Sequence, residues 1–241
     1  MRVTKRIDRR SERRDHILAA AGELFAERGP EAVSVAEVAE AAGVSRATVF
    51  NHFGSKHALL EGLTEEVLRA YNSFLENALA AGDTPVPVLV RAIFEIVARA
   101  VEEQRRFHRA VFREIAKLSL GLDEGGPGQL ARQAALTSLI ELLERGQARG
   151  ELGARYRAAD LATAFDSLVF GTITHWLYDD ETESLTARML RAADVLLGPI
   201  ATQPDVPWDR PPPDLTRPIP TWGEHRGRGE VGSTAPRKAR A

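Results

Sequence analysis

The sequence predicts an all-α protein of about nine helices, and three observations predict it. Apolar residues recur at helical spacing in one segment after another from the N-terminal quarter to Leu197. Glycine or proline marks many of the junctions between those segments, as at Gly43, Gly54, Gly82, Pro85, Gly121 and Gly150. No stretch alternates apolar and polar residues as a half-buried strand would, and no internal repeat is present.

Ser34 stands three residues before Glu37, which reads as a capping box opening a helix. Val35, Val38, Ala39 and Ala42 give that helix one buried face, and Gly43 can end it in a left-handed conformation. Ser45 is the N-cap of a second short helix, anchored by Val44, Val49 and Phe53. Gly54 and Ser55 break and cap again. A long helix then runs from Lys56 to about Ala80, and Thr84-Pro85-Val86-Pro87 marks a turn. Val88, Leu89, Ala92, Ile93, Ile96, Val97 and Ala100 form a wide apolar stripe, which predicts a central, mostly buried helix. Phe107, Val111, Ile115 and Leu118 define the next helix, and Gly121–Gly128 reads as a loop. Leu136, Leu139, Ile140 and Leu143 define a helix closing near Gly150. Another carries Leu161, Phe165, Leu168, Val169, Thr172 and Trp176, and the last spans roughly Ser184 to Leu197.

Residues 198–241 change character. They hold nine of the thirteen prolines and no apolar periodicity, so they are expected to be a disordered or weakly docked tail. Trp208 and Trp222, two of the three tryptophans, lie in it and could dock on the body or on a partner. The chain has no cysteine, hence no disulfide framework and no thiolate metal site. No run approaches the roughly 18 apolar residues of a membrane span, and the basic N-terminus lacks the apolar core of a signal peptide. A cytoplasmic protein with no membrane partner is expected.

Net charge is −2, so a polyanion partner must be met by local charge. Residues 1–14 hold seven Arg or Lys against Asp8 and Glu12, whereas residues 15–40 hold one Arg against six acids. Residues 41–60 contain no acid, the longest such run in the chain, and they collect Arg46, His52, Lys56 and His57 with the hydroxyls of Ser45, Thr48 and Ser55. Two short helices joined by a glycine turn, the second with a polar N-terminal face, form a helix-turn-helix whose second helix would enter the major groove.

Residues 13–60 resemble the DNA-binding domain of TetR-family transcriptional regulators. The matching elements are Ile17-Leu18, Ala21, Leu24-Phe25, Gly29, Val38-Ala39 and Ala42-Gly43-Val44-Ser45, followed by Thr48-Val49-Phe50, His52-Phe53, Ser55-Lys56 and Leu59-Leu60. The His52-Phe53-x-Ser55-Lys56 segment directly after the recognition helix is the most specific of these. Three positions depart from the family pattern. Ala47 replaces the usual Gly and stays small. Phe50 replaces Tyr and loses a hydroxyl for phosphate. His57 replaces Glu in the first turn of a helix, giving up a dipole contact and offering a weak phosphate contact instead.

The expected organisation is a basic arm (1–14), a three-helix helix-turn-helix domain (15–60), a helical effector-binding and dimerisation domain (61–197) and the tail. Candidate DNA contacts are Ser34, Ser45, Arg46, Ala47, Thr48, Phe50, Asn51, His52 and Lys56. Arg46, in the first turn of the recognition helix, would read guanine edges, and Thr48 a thymine methyl or a phosphate. Asn51, His52 and Lys56 would hold phosphate, and Ser34 is explained by its capping role alone. Arg9, Arg10, Arg13 and Arg14 would follow the backbone or a minor groove.

One recognition helix covers only a few base pairs, so a two-fold homodimer on a palindromic operator follows. The resemblance implies that the last two helices of each copy form a four-helix interface, for which Ala164, Ser167, Leu168, Gly171 and Leu190 are candidates. It also implies an effector cavity between residues 60 and 180. Phe94, Phe107, His108, Phe112, Phe170, His175 and Trp176 are the candidate lining, suited to an apolar or aromatic small molecule. No cofactor is expected. The six histidines show no metal-ligand spacing, and HExxH, GxSxG and Walker motifs are absent, so neither a metal site nor a catalytic centre is expected. The reading is a repressor released by its effector, with movement of the long helix after Lys56 as the switch. The alternatives are an effector-independent regulator or an activator of the same fold, and a DNA recombinase or helical enzyme carrying the motif.

Overall fold

The computed structural model describes residues 2–119, 127–179 and 183–202. Among these residues there are nine α-helices and a 3-10 turn, with a single isolated bridge between Leu152 and Ala201 in place of any sheet. The helices are α1 (Arg2–Arg28), α2 (Val35–Ala41), α3 (Arg46–Phe53), α4 (Lys56–Ala80), α5 (Val86–Glu103), α6 (Arg105–Ser119), α7 (Pro127–Ala148), α8 (Ala158–Tyr178) and α9 (Leu185–Leu197); the 3-10 turn is Pro30–Ala32.

Helices α1 to α3 form a small head. Ile17, Leu18, Ala21 and Phe25 of α1 are fully or almost fully buried against Val38, Ala39 and Val49. The junction of α2 and α3 has a backbone reason. The amide of Val44 donates to the Ala39 carbonyl at 2.9 Å and that of Gly43 to Glu40 at 3.0 Å. Gly43 has φ of 61°. This pair of bonds turns the chain back sharply after α2, and only a residue without a Cβ takes that φ cheaply.

The other six helices form the body. Helix α4 packs along α7, α5 along α9, and α8 against both α7 and α9. As its stripe predicts, α5 is central: it touches α4, α6, α7, α8 and α9. The N-terminal end of α6 is pinned to the C-terminal end of α8. Arg105 donates to the carbonyls of Trp176 (2.8 Å) and Asp179 (2.6 Å), and Arg109 to that of Leu177 (3.0 Å). Two cations thus satisfy the orphan carbonyls and the negative dipole end of α8. The Arg105 guanidinium also lies 4.3 Å over the Trp176 ring.

The head rests on α6 and α4. Gly62 of α4 is the closest approach: a Cβ there would stand 3.0 Å from Leu18 Cδ2 and 3.5 Å from Phe53. Arg113 of α6 pairs with Glu31 in the 3-10 turn, and Glu31 in turn offers its carbonyl to Lys56 Nζ at 3.4 Å.

Several boundaries differ from the sequence expectation. The basic segment 1–14 is not a separate arm, because α1 runs without a break from Arg2. Nothing in Arg2–Arg28 interrupts a helix: there is no proline, and the next glycine after Gly22 is Gly29, with φ of 81°. Pro127 and Gly128 open α7 instead of closing a loop; the rest of the expected loop lies outside the described residues. The body also extends past 197. Ile200 is buried, its carbonyl accepts from the Gly153 amide at 2.7 Å, and the Thr202 amide donates to the Glu151 carbonyl at 3.1 Å. Residues 203–241, with Trp208 and Trp222, lie outside the described residues.

Candidate nucleic-acid interface and internal cavity

The capping box at Ser34 is complete. Its Oγ accepts from the Glu37 amide at 3.3 Å, and its own amide donates to Glu37 Oε2 at 2.8 Å. The hydrogen bonds from the Ser34 amide and hydroxyl, with that from Arg28, hold the Glu37 carboxyl down at about 2. Ser34 is therefore occupied by capping. Ser45 caps α3 by accepting from the Thr48 amide at 3.1 Å, and the two hydroxyls are 2.8 Å apart. The Thr48 hydroxyl is thus engaged with Ser45.

Helix α3 has one open face. Val49 is buried in the head, and Val44 and Phe53 pack on the same core. Arg46, Ala47, Phe50 and Asn51 are all exposed. Their spacing puts them on a single strip one to two turns long, the size of a groove contact. Phe50 is 43% exposed, unusual for a phenylalanine without a partner, and the Arg46 guanidinium stands 5.9 Å from its ring. Thr48 and His52 flank this strip and are half-buried.

Lys56 is the first residue of α4, after the N-cap Ser55, whose Oγ accepts from the Ala58 amide at 3.0 Å. The Lys56 ammonium reaches the Glu31 carbonyl at 3.4 Å, and the first turn of α4 adds the positive end of a helix dipole beside it. His52 lies beside Arg10, Arg13 and Arg14. Burial, then those three positive charges, hold its imidazole below its ordinary range. At neutral pH it can donate an N–H to a phosphate but brings no charge. Arg10 and Arg13 are exposed, while Arg14 turns inward, 3.5 Å from Glu65 and 5.4 Å over the Phe53 ring. Arg14 fastens α1 to α4 instead of reaching outward. His57 faces Glu61 (3.3 Å) and Glu114 (3.9 Å), so its ring partners acids rather than a phosphate site.

A cavity of about 100 Å³, open to solvent on one side, lies between α4, α5, α6, α7 and α8. His108, Phe112 and Phe170 line it. Phe94, Phe107, His175 and Trp176 do not. Phe94 packs edge-on to Phe165 and Phe107 edge-on to His108, both within solid core. Trp176 turns away to donate to the Glu183 carbonyl at 2.8 Å and to stack under Arg105. His175 is exposed on the outer face of α8.

Three polar residues that the sequence reading passes over also line the cavity: Tyr71, Arg132 and Asp166. Arg132 and Asp166 form an ion pair. Burial raises the Asp166 carboxyl, opposed by the Arg132 charge, and burial followed by the Asp166 charge raises the Tyr71 phenol. Asp166 was the findable one, since it interrupts the inner apolar stripe of α8 one turn before Phe170. Burial also lowers the His108 imidazole, to about 4, against the opposing pull of the Gln104 carbonyl.

The candidate interface residues divide by position. Ala164 and Ser167 are exposed, and Leu168 and Gly171 half-buried, along the outer face of α8. A Cβ built on Gly171 meets nothing within 4 Å. Leu190 of α9 is half-buried, and Val195, further along α9, is 69% exposed.

No helix among the described residues is long and apolar enough to cross a membrane. Residues 17–63 match the family model described as bacterial regulatory proteins, tetR family. The chain is 25% identical over 208 residues to the transcriptional repressor BepR of Brucella suis biovar 1, covering 82% of this chain and 96% of that one. It is 25% identical over 173 residues to the transcriptional activator FasR of Mycolicibacterium smegmatis, covering 71% and 75%. Among solved structures, Thermus thermophilus FadR, a TetR-family transcriptional repressor in complex with lauroyl-CoA, superposes with a TM-score of 0.60 at 23% identity, covering 76% of this chain and 93% of that one. These relatives are transcriptional regulators rather than enzymes.

Proposed function

The chain belongs to the TetR family of transcriptional regulators through residues 17–63, and on that premise we propose a cytoplasmic homodimeric repressor released from a palindromic operator by a small apolar or aromatic effector. The head (α1–α3 with the start of α4) binds DNA, and the body (from residue 61) holds the effector and the dimer interface. The observation that carries this reading is the open strip of α3, with Arg46, Ala47, Phe50 and Asn51 side by side on a helix anchored by buried Val49. Arg46 reads a base edge, and Lys56 and His52 hold phosphate on either side.

The switch runs through α6 as well as α4. One side of α6 lines the cavity with His108, Phe112 and Ile115; the other carries Arg113 and Glu114, which meet Glu31 and His57 of the head region. An effector that displaces Phe112 therefore pulls on the turn whose Glu31 carbonyl holds Lys56. It can shift the equilibrium only by its difference in affinity for the two head positions. The match to an activator, FasR, keeps activation as the second reading.

Genomic footprinting tests the proposal. The expected result is a protected palindrome whose half-sites lie about 34–36 Å apart, or a related spacing; a single asymmetric half-site would overturn it. Two substitutions separate the contact types. Arg46→Ala relaxes sequence preference at its base pair by about 1–3 kcal/mol on an operator library. Lys56→Ala weakens all sequences alike and lowers the salt slope by about one unit. A Lys56→Ala protein with the wild-type slope shows that Lys56 touches no phosphate.

A further inference from the structure

We propose that the cavity takes an uncharged hydrophobic phenol whose hydroxyl donates a hydrogen bond to His108 Nε2. The proposal rests on the effector reading above and names the chemistry of its ligand.

His108 fixes the polarity. Its Nδ1 lies 3.2 Å from the Gln104 carbonyl, and a carbonyl can only accept. Nδ1 therefore carries the hydrogen and Nε2 is left as an acceptor. His108 is 6% exposed and lines the cavity, and among the described residues Nε2 has no hydrogen-bond partner. An acceptor left open at a cavity wall in this way can take a donor from a ligand or a water. A carboxylate or a phosphate would set acceptor against acceptor there.

The other polar end discourages charge of either sign. Arg132 and Asp166 already neutralise each other. An anion would have to displace Asp166 from Arg132, and a cation would have to displace Arg132 from Asp166. Each leaves one ionised group in a low-dielectric site without its partner. The Tyr71 hydroxyl, beside Asp166, has no hydrogen-bond partner among the described residues and can meet a second neutral polar group or a water.

Shape supplies the aromatic preference. The Phe112 and Phe170 rings are stacked, 5.9 Å apart and 17° from parallel, and both line the cavity between the two polar ends. Helices α6 and α8 run antiparallel, since Arg105 and Arg109 meet the end of α8 and Phe112 meets Phe170. His108 lies one turn beyond Phe112, and Asp166 one turn beyond Phe170 on the opposite side. At 1.5 Å of rise per residue the two ends are about 12 Å apart along the helix axes. A flat ring with an apolar chain and a terminal hydroxyl spans that length.

Three matched probes test this by calorimetry on the full chain: 4-pentylphenol, its methyl ether 4-pentylanisole and 4-pentylbenzoate. The phenol should bind about tenfold more tightly than the ether, the value of one buried hydrogen bond, and the benzoate more weakly than the phenol. In a His108→Leu variant that keeps the wild-type circular dichroism, the phenol should fall to the level of the ether. Equal binding of phenol and ether, tighter binding of the benzoate, or no binding of the phenol overturns the proposal. The wild-type comparison needs no variant, so a His108→Leu protein that fails to fold does not decide the matter. Operator release is measured separately. Phenol binding without release supports the ligand class and counts against the switch; release by a different ligand with no phenol binding does the reverse.

Discussion

Gly171→Arg is expected to turn the protein into a monomer and to weaken operator binding by about 10²–10⁴-fold, the loss that follows when two linked heads become one. The substitution tests the interface and little else. A Cβ at Gly171 meets nothing within 4 Å in a single chain, and the residue lies inside α8, where replacing glycine gains helix propensity. The monomer fold should therefore be kept or slightly stabilised. In the proposed four-helix interface the same position faces the partner at close range alongside Ala164, Ser167 and Leu168. An arginine there separates the helices and buries a charge without a partner. Sedimentation at micromolar concentration reads the oligomer, and anisotropy on a palindromic duplex reads the affinity. A Gly171→Arg protein that stays dimeric with wild-type affinity removes the outer face of α8 from the interface.

Local chemistry made the head legible. Ser34 with Glu37, Gly43, Ser45 and Ser55 each specify a cap or a turn within four residues, and the structure has a bond or a φ for each of them. The long helices were legible for the same reason: their apolar stripes repeat over many turns. Sequence spacing could not reveal where one helix meets another. Arg113 pairs with Glu31 across 82 residues, and Ser138 bonds Asn72 across 66. The cavity depends on such meetings. Aromatic residues were therefore an unreliable guide to it: Phe94 and Phe107 fill core, while Tyr71, Arg132 and Asp166 reach the space. Thr48 shows a related limit. Its place in the recognition helix suggests a DNA contact, yet its hydroxyl is within reach of the residue that caps the same helix.

The buried histidine should make the fold sensitive to mild acid. The ordinary histidine value is 6.5, and burial lowers His108 to about 4 in the folded protein. Above 6.5 the ring is neutral whether the chain is folded or not, and stability is complete. As pH falls from 6.5 towards 4 the unfolded chain takes up a proton that the folded one refuses, and stability is lost. The loss is about 2 kcal/mol at pH 5 and approaches about 3 kcal/mol near pH 4. Glu37 acts later, because its stabilising bonds are lost only as pH falls from the ordinary carboxylate value of 4.5 towards about 2. Asp166, raised by burial, acts with the opposite sign, since the folded state accepts its proton more readily. Urea melts of the wild type and of His108→Leu at pH 7 and pH 5 isolate the histidine: the wild type should lose about 2 kcal/mol more than the variant. Parallel losses in the two proteins would show that His108 is protonated in the fold. The same neutrality bears on the ligand. Because Nε2 remains an acceptor at pH 5, phenol affinity should hold between pH 7 and pH 5 while stability declines; an affinity that falls with the stability would show that the acceptor is protonated in the fold.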